Sequence, residues 1–345
     1  MVHVAALPGT PRSSLPLTQI IDQACQEAEA YRDAGVLPSS KHACFAHPEE
    51  KAQKASLSQR QEEAERSKGY GISLSVDTTK DSAVVPEDGL IIENMHDVPY
   101  TVSPGPEVTA ALAVVGAAVR QSCPRLALGV QVLSAANRPA LAVALAAGLD
   151  FIRAEGFVFS HVADEGIINA CAGDLLRYRK QIGAENIQIF ADIKKKHSLK
   201  QDTCPPSQNL PLVVLAEKQS KLQDVDKNCV LAVTMVMLCS AHALTADVSV
   251  AQTAEAAQLF LADGVVLTGT ATGLPTDPRE LQEVKHAVKI PVLIGSGVTL
   301  ENVRNYLDAS ALIIGSYFKK EGYWANAVDP DRVKKFMECI STLRE

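Results

Sequence analysis

Residues 150–166 read Asp150-Phe-Ile-Arg153-Ala-Glu155-Gly156-Phe-Val-Phe-Ser-His161-Val-Ala-Asp164-Glu165-Gly166, an apolar strand that runs out into a polar loop. Side chains alternate along extended backbone, so Ile152 and Ala154 share one row and Arg153 and Glu155 the other. Charged side chains are almost never fully buried unless paired. An apolar row beside a charged row, near the carboxyl end of a strand, fits a closed parallel barrel. There, helices cover one row and the other faces the interior and its polar mouth.

Working outward, the same unit recurs. The chain opens on Met1-Val-His-Val, and strand-like runs follow at 88–97, 125–133, 187–194, 264–269, 291–295 and 311–315. Between and after them, apolar residues fall at helical spacing over 16–36, 105–122, 138–147, 168–182, 248–262, 278–288, 300–307 and 329–343. This strict alternation predicts one (β/α)8 TIM barrel as a single domain over residues 1–345. The punctuation repeats as well: Ala34-Gly-Val36, Ala147-Gly-Leu-Asp150 and Ala262-Asp-Gly-Val265 each stop a helix and start a strand.

Two stretches break the rhythm. Residues 37–87 place 51 residues after the first helix, where connections of this kind run about 2–6. Joining Val36 to Asp88 restores Ala-Gly-Val-Asp-Gly. Residues 199–240 sit in the loop after the fifth strand, and their apolar run from Cys229 to Leu238 fits no barrel position. Both are expected to be long, mostly disordered and non-functional additions to the barrel, with functional insertions as the alternative. Half of the eight cysteines, Cys44, Cys204, Cys229 and Cys239, fall in them.

Bulk properties exclude several classes. A formal charge of −7, with no basic stripe beyond Lys194-Lys195-Lys196, argues against nucleic acid as a partner. No apolar run is long enough to span a bilayer. Cysteines without a CxxC pair indicate neither a disulfide framework nor a zinc site. Together with a start on a strand rather than a leader, this predicts a cytoplasmic protein. A homo-oligomer is expected on the general habit of such barrels.

Row assignment points to chemistry. The outward row should hold Val2, Val4, Ile92, Leu128, Val130, Ile152, Ala154, Ile189, Ala191, Ile193, Val265 and Leu267; the inward row His3, Glu93, Gln131, Arg153, Glu155, Asp192, Lys194 and Thr268. Charges so placed should pair, Arg153 and Lys194 against Glu93, Glu155 and Asp192. They either fill the barrel as an ion-pair network or serve proton transfer and Schiff-base chemistry at Lys194. Lys195 and Lys196 should face solvent. His96, His161 and His197 follow strands closely, where a general acid, a base or a metal ligand is useful; with Glu93, Asp97, Asp164 and Asp192 they could hold a divalent metal, although no HExxH spacing supports one, and the sequence leaves any cofactor open. Gly295-Ser296-Gly297 and Gly315-Ser316 end the last two strands, where small residues let backbone N–H groups approach a phosphate, or simply make tight turns. Lys319 and Lys320 either reinforce that site or are exposed.

The segments Ile92-Glu-Asn-Met-His-Asp-Val-Pro-Tyr100, Arg153-Ala-Glu-Gly-Phe-Val-Phe-Ser-His-Val-Ala-Asp-Glu-Gly166, Ala172-Gly-Asp-Leu-Leu-Arg-Tyr-Arg179 and Asp192-Ile-Lys-Lys-Lys-His197 resemble the BtpA family. That family takes its name from a photosystem I biogenesis factor and groups by fold with ribulose-phosphate-binding barrels. The likeness covers 1–36, 88–198 and 241–345, and the chain departs from the family pattern at the two insertions. The resemblance implies a phosphosugar-type ligand but no particular reaction. Two readings result. In the first, a barrel enzyme of isomerase or lyase type binds a small phosphorylated metabolite: Gly295, Ser296, Gly297, Gly315 and Ser316 hold the phosphate, Glu155 and Asp192 act as acid and base, Lys194 acts as electrophile, and Glu93, Arg153 and His161 complete the site. In the second, the barrel is a non-catalytic assembly or stabilisation factor.

Overall fold

The computed structural model describes residues 1–36, 88–194, 242–243, 247–269 and 273–344. The two expected insertions, with Lys195, Lys196 and His197, lie outside the described residues.

The elements, in order, are β1 (Val2–His3), α1 (Leu17–Asp33), β2 (Gly89–Glu93), α2 (Pro106–Ser122), β3 (Ala127–Gln131), α3 (Asn137–Ala147), β4 (Phe151–Ala154), β5 (His161–Ala163), β6 (Gly166–Ile168), α4 (Ala172–Gln181), β7 (Gln188–Asp192), β8 (His242–Ala243), α5 (Val250–Leu259), β9 (Gly264–Leu267), α6 (Pro278–Ala287), β10 (Val292–Ile294), β11 (Ala311–Leu312) and α7 (Pro330–Arg344). Eight strands form one parallel sheet in the order β1-β2-β3-β4-β7-β9-β10-β11. The Met1 nitrogen donates to the Ile314 carbonyl at 3.0 Å, which brings the first and last strands together and closes the curl. This is the expected (β/α)8 barrel.

Alternation explains both layers of the core. Every residue assigned to the outward row packs in a single cluster with helix residues such as Ile20, Ala24 and Tyr31 of α1 and Leu112 and Val115 of α2. The helical spacing of Ile20, Ala24, Ala28 and Tyr31 puts that buried stripe on one face of α1. The inward row begins with a second cluster, Ile91, Ala127, Phe151, Phe190, Val266, Leu293 and Ile313, against which Met1 packs. Phe151 and Phe190 meet edge to face at 5.4 Å. Gly129 leaves the room they need, since a Cβ there would come within 2.2 Å of the Phe151 ring. Burial of each large apolar side chain in this plug stabilises by roughly 1.5–3 kcal/mol.

The structure departs from the sequence expectation in two places. The helix expected from 168 begins at Ala172, because residues 161–168 form an antiparallel hairpin that pairs His161 with Ile168 and Ala163 with Gly166. The turn falls at Asp164-Glu165, where Gly166 takes φ of 105°, a value that favours glycine. This hairpin, joined by β8, stands off the carboxyl end of β4 as a separate three-stranded sheet. The helix expected over 300–307 is only a 3-10 turn at Val303–Tyr306. Among the described residues no helix is long and apolar enough to cross a membrane.

Candidate functional site

Two residues further along each inner strand the chemistry changes. Above Met1, Ile91, Phe151, Phe190 and Val266 stand His3, Glu93, Arg153, Asp192 and Thr268, with Gln131 on β3 beside them. Glu93, Gln131, Arg153, Asp192 and Thr268 are all buried. Strand alternation therefore builds a polar floor directly on the apolar plug.

Pairing within this floor is selective. Arg153 Nε donates to Asp192 Oδ1 at 3.0 Å, as expected. Arg153 Nη1 and Gln131 Oε1 have no hydrogen-bond partner among the described residues. Lys194 does not join the ring: its Nζ donates to both carboxylate oxygens of Glu280, at 2.7 and 2.6 Å, in the first turn of α6. The expected pairing of Lys194 with Glu93, Glu155 or Asp192 is corrected accordingly, because an acidic residue at a helix start lies within its reach and also suits the helix dipole. Glu155 is half-buried and holds the loop after β3. Its Oε2 accepts from the Ala135 N–H at 2.8 Å and from Ser134 Oγ at 3.5 Å. Ala135 has φ of 52°, so this carboxylate anchors a backbone conformation that residues with a Cβ adopt at a cost.

Above the floor lies a cavity of about 160 Å³. Its wall contains Gly295, Ser296, Gly297, Gly315 and Ser316 together with His3, Glu93, Met95 and Trp324. The two glycine-rich strand ends thus share one space with a floor carboxylate. Arg153, Glu155, Asp192, Lys194 and His161 do not line it. Arg153 lies behind the wall: a Cβ on Gly295 would come within 3.3 Å of its Nη2. His161 sits on the β5 hairpin, half-buried.

The glycine-rich ends are built differently from one another. Gly297 has φ of 68°, and a Cβ there would meet the Leu274 backbone at 2.2 Å, so only glycine fits. Ser296 spends its hydroxyl on structure, accepting from the Gly269 N–H at 2.7 Å and donating to the Leu274 carbonyl at 3.0 Å. Among the described residues, the backbone N–H groups of Gly297, Ser316 and Tyr317 donate to no other group. A Cβ on Gly315, by contrast, would make only ordinary contacts, 3.6 Å from Met1 Sδ and 3.7 Å from His3 Nε2. Of the two lysines beyond, Lys319 is fully buried and donates to Glu27, which corrects both the exposed and the phosphate-facing expectations for it. Burial pulls its ammonium below the usual lysine range, and Glu27 opposes that.

Sequence reasoning missed three features. Trp324 reaches the mouth from an irregular segment with no periodic signal, its ring 5.1 Å from that of His96. His3 was assigned inward by alternation without a role. Asn94 and Asp97 form a brace. Asn94 Nδ2 donates to Asp97 Oδ2, Asp97 Oδ1 accepts from the Leu7 N–H, and Asn94 Oδ1 accepts from the Leu133 N–H, which ties the loops after β1, β2 and β3. Burial raises the Asp97 carboxyl, against those two donors. Among the described residues, no group of three or more His, Cys, Asp or Glu side chains is placed to hold a metal.

Comparison with known proteins adds the following. A family model described as "BtpA family" matches residues 72–204 and 215–342. "Uncharacterized protein F13E9.13, mitochondrial" of Caenorhabditis elegans is 37% identical over 349 residues, covering 100% of this chain and 92% of its own. "Photosystem I biogenesis protein BtpA" of Synechocystis is 28% identical over 257 residues, covering 74% of each. Among solved structures, thiamine phosphate pyrophosphorylase from Pyrococcus furiosus matches with a TM-score of 0.41 at 13% identity, covering 76% of this chain and 85% of that one.

Proposed function

The chain belongs to the BtpA family, and on that premise we propose that its barrel mouth binds a small phosphorylated metabolite and acts on it as an isomerase or lyase. The observation that carries this reading is the shared cavity: the ends of β10 and β11 offer uncommitted backbone N–H groups, the Arg153 guanidinium stands behind Gly295, and Glu93 faces the same space. Amides and a nearby cation favour an anion. A carboxylate next to it serves as acid or base. A volume of about 160 Å³ is below the roughly 300 Å³ at which drug-sized pockets begin, which favours a ligand of a few carbons over a nucleotide. Within this reading Glu93 is the acid–base group, and the Arg153–Asp192 pair sets the potential of the floor. Glu155 holds the loop after β3, Lys194 ties the end of β7 to α6, and His161 acts from the hairpin once ligand is bound.

The test is a melting-temperature screen of sugar phosphates and nucleotides. Small phosphate esters should raise the melting point of the native chain, and Gly315→Val, which projects into the cavity, should remove that rise while leaving the ligand-free melting point nearly unchanged. No response to any phosphorylated compound contradicts the reading.

A second reading, a non-catalytic assembly or stabilisation factor, is favoured by Leu259, Phe260 and Leu261, consecutive apolar side chains that are all exposed at the end of α5. It requires that serine substitutions there abolish a partner contact while Gly315→Val leaves that contact intact. The single-domain organisation also belongs to this proposal: deleting 37–87 and 199–240 together should raise stability, and unfolding on deletion contradicts it. A homo-oligomer and a cytoplasmic location complete the reading. Light scattering decides the first and cell fractionation the second, with the mitochondrion as the contrary outcome.

A further inference from the structure

His3 ends β1 with its side chain almost wholly enclosed, at 4% exposure, yet it lines the mouth cavity. Its Nδ1 lies 2.9 Å from the Trp324 carbonyl oxygen. A carbonyl only accepts, so Nδ1 carries the hydrogen in that bond. In the neutral ring the other nitrogen, Nε2, then holds a lone pair. Nε2 lies 3.9 Å from Glu93 Oε2 and 3.7 Å from where a Cβ on Gly315 would stand, and both of those residues line the cavity. The neutral ring is the form its surroundings favour. Burial, the Lys319 ammonium, the Met1 amine and His96 all push the His3 pKa well below its ordinary value, against the Trp324 carbonyl. Glu93 is the acidic group beside it.

The mouth therefore presents two acceptors side by side, His3 Nε2 and the Glu93 carboxylate, too far apart to share a hydrogen directly. A group that bonds to His3 Nε2 must donate. We propose that His3 Nε2 is the ligand-selecting acceptor of the mouth: it takes the hydrogen of a hydroxyl on a small phosphate monoester, so the site distinguishes phosphorylated polyols and hydroxy-carbonyls from phosphate esters lacking that hydroxyl. This rests on the phosphate reading above and adds the substrate class. The phosphate lies on the Gly297 and Ser316 side, and the hydroxyl-bearing carbon reaches across toward β1 and β2. The Trp324 carbonyl acts through His3, fixing which nitrogen faces the ligand.

The test uses the full chain and three probes: inorganic phosphate, n-propyl phosphate and glycerol phosphate, the two esters having the same carbon count and differing in hydroxyls. Titration calorimetry should give glycerol phosphate about a tenfold advantage over propyl phosphate, the worth of one or two good hydrogen bonds. His3→Asn keeps a donor for the Trp324 carbonyl and removes the Nε2 acceptor. It should lose most of that advantage while binding inorganic phosphate and propyl phosphate as before. His3→Gln, whose amide reaches the Nε2 position, should restore part of it. Nitrogen-15 NMR of the ligand-free protein at neutral pH should show Nδ1 protonated and Nε2 bare. Equal binding of the two esters, an advantage that survives in His3→Asn, or a hydrogen on Nε2 overturns this inference and leaves the phosphate reading standing. Failure of every phosphate probe to bind overturns both.

Discussion

The lower and upper halves of the barrel interior are built by the same strands, two residues apart, and they behave oppositely. The lower half, Ile91, Phe151, Phe190, Val266, Leu293 and Ile313, is a buried apolar cluster. The upper half, Glu93, Gln131, Arg153, Asp192 and Thr268, is as buried but polar. Burial removes apolar groups from water at a gain and charged groups at a cost of several kcal/mol each. The plug therefore supplies stability, and the floor draws on it. Cavity size alone does not separate the two ends. The larger cavity, about 430 Å³, opens at the lower end among Leu312, Phe336, Ile340 and similar side chains, whereas the one of about 160 Å³ carries the convergent polar groups.

That contrast can be broken most forcefully in the plug. Phe190→Ala should lower unfolding free energy by about 3–5 kcal/mol in denaturant titration, since the ring is 3% exposed and its neighbours are held by β-ladders. A loss below about 1 kcal/mol would show that the plug is not close-packed. In the floor, Arg153→Met should cost about as much, because it removes the guanidinium that pairs with the buried Asp192 carboxylate. The double variant Arg153→Met with Asp192→Leu should regain most of that stability yet bind no phosphate ester. Recovery of binding along with stability would make the pair mere filling. Ser296→Ala, which orphans the Gly269 N–H, should cost about 1–3 kcal/mol.

The smallest expected effect is one of pH. His3 and His96 both have pKa values lowered by burial and by Lys319. As pH falls below the unfolded value of about 6.5, the unfolded chain takes up protons that the folded chain refuses, so stability declines until pH passes below the folded values. Melting temperature measured from pH 7.5 to 5 should fall, and should fall less in a variant with His3→Asn and His96→Asn. An identical slope in the two proteins would place the effect elsewhere.

How much of this was legible in the sequence follows from which interactions are periodic. The outward row was readable to the residue, because Ile152 and Ala154, or Ile189 and Ala191, announce themselves by alternation, and helices must cover them. The inward polarity was readable by the same rule. Partner choice was not: Lys194 and Glu280 are 86 residues apart, and nothing local distinguishes Glu280 from nearer carboxylates. The hairpin was missed because Ile167 and Ile168 fit the first turn of a helix as well as a strand, and only the cross-strand partner His161 decides between them. Trp324 and Lys319 lie in irregular backbone, where side-chain direction follows from tertiary packing. The glycine-rich strand ends do line the mouth cavity, but the Ser296 hydroxyl is committed to a neighbouring loop that no spacing rule identifies.

The most direct test of the central claim is a crystal structure of the full chain grown with glycerol phosphate. The phosphate should lie within hydrogen-bond reach of the Gly297 and Ser316 amides, with the glycerol directed toward His3 and Glu93. Phosphate bound at another surface, or a mouth that admits none at saturating concentration, would contradict it.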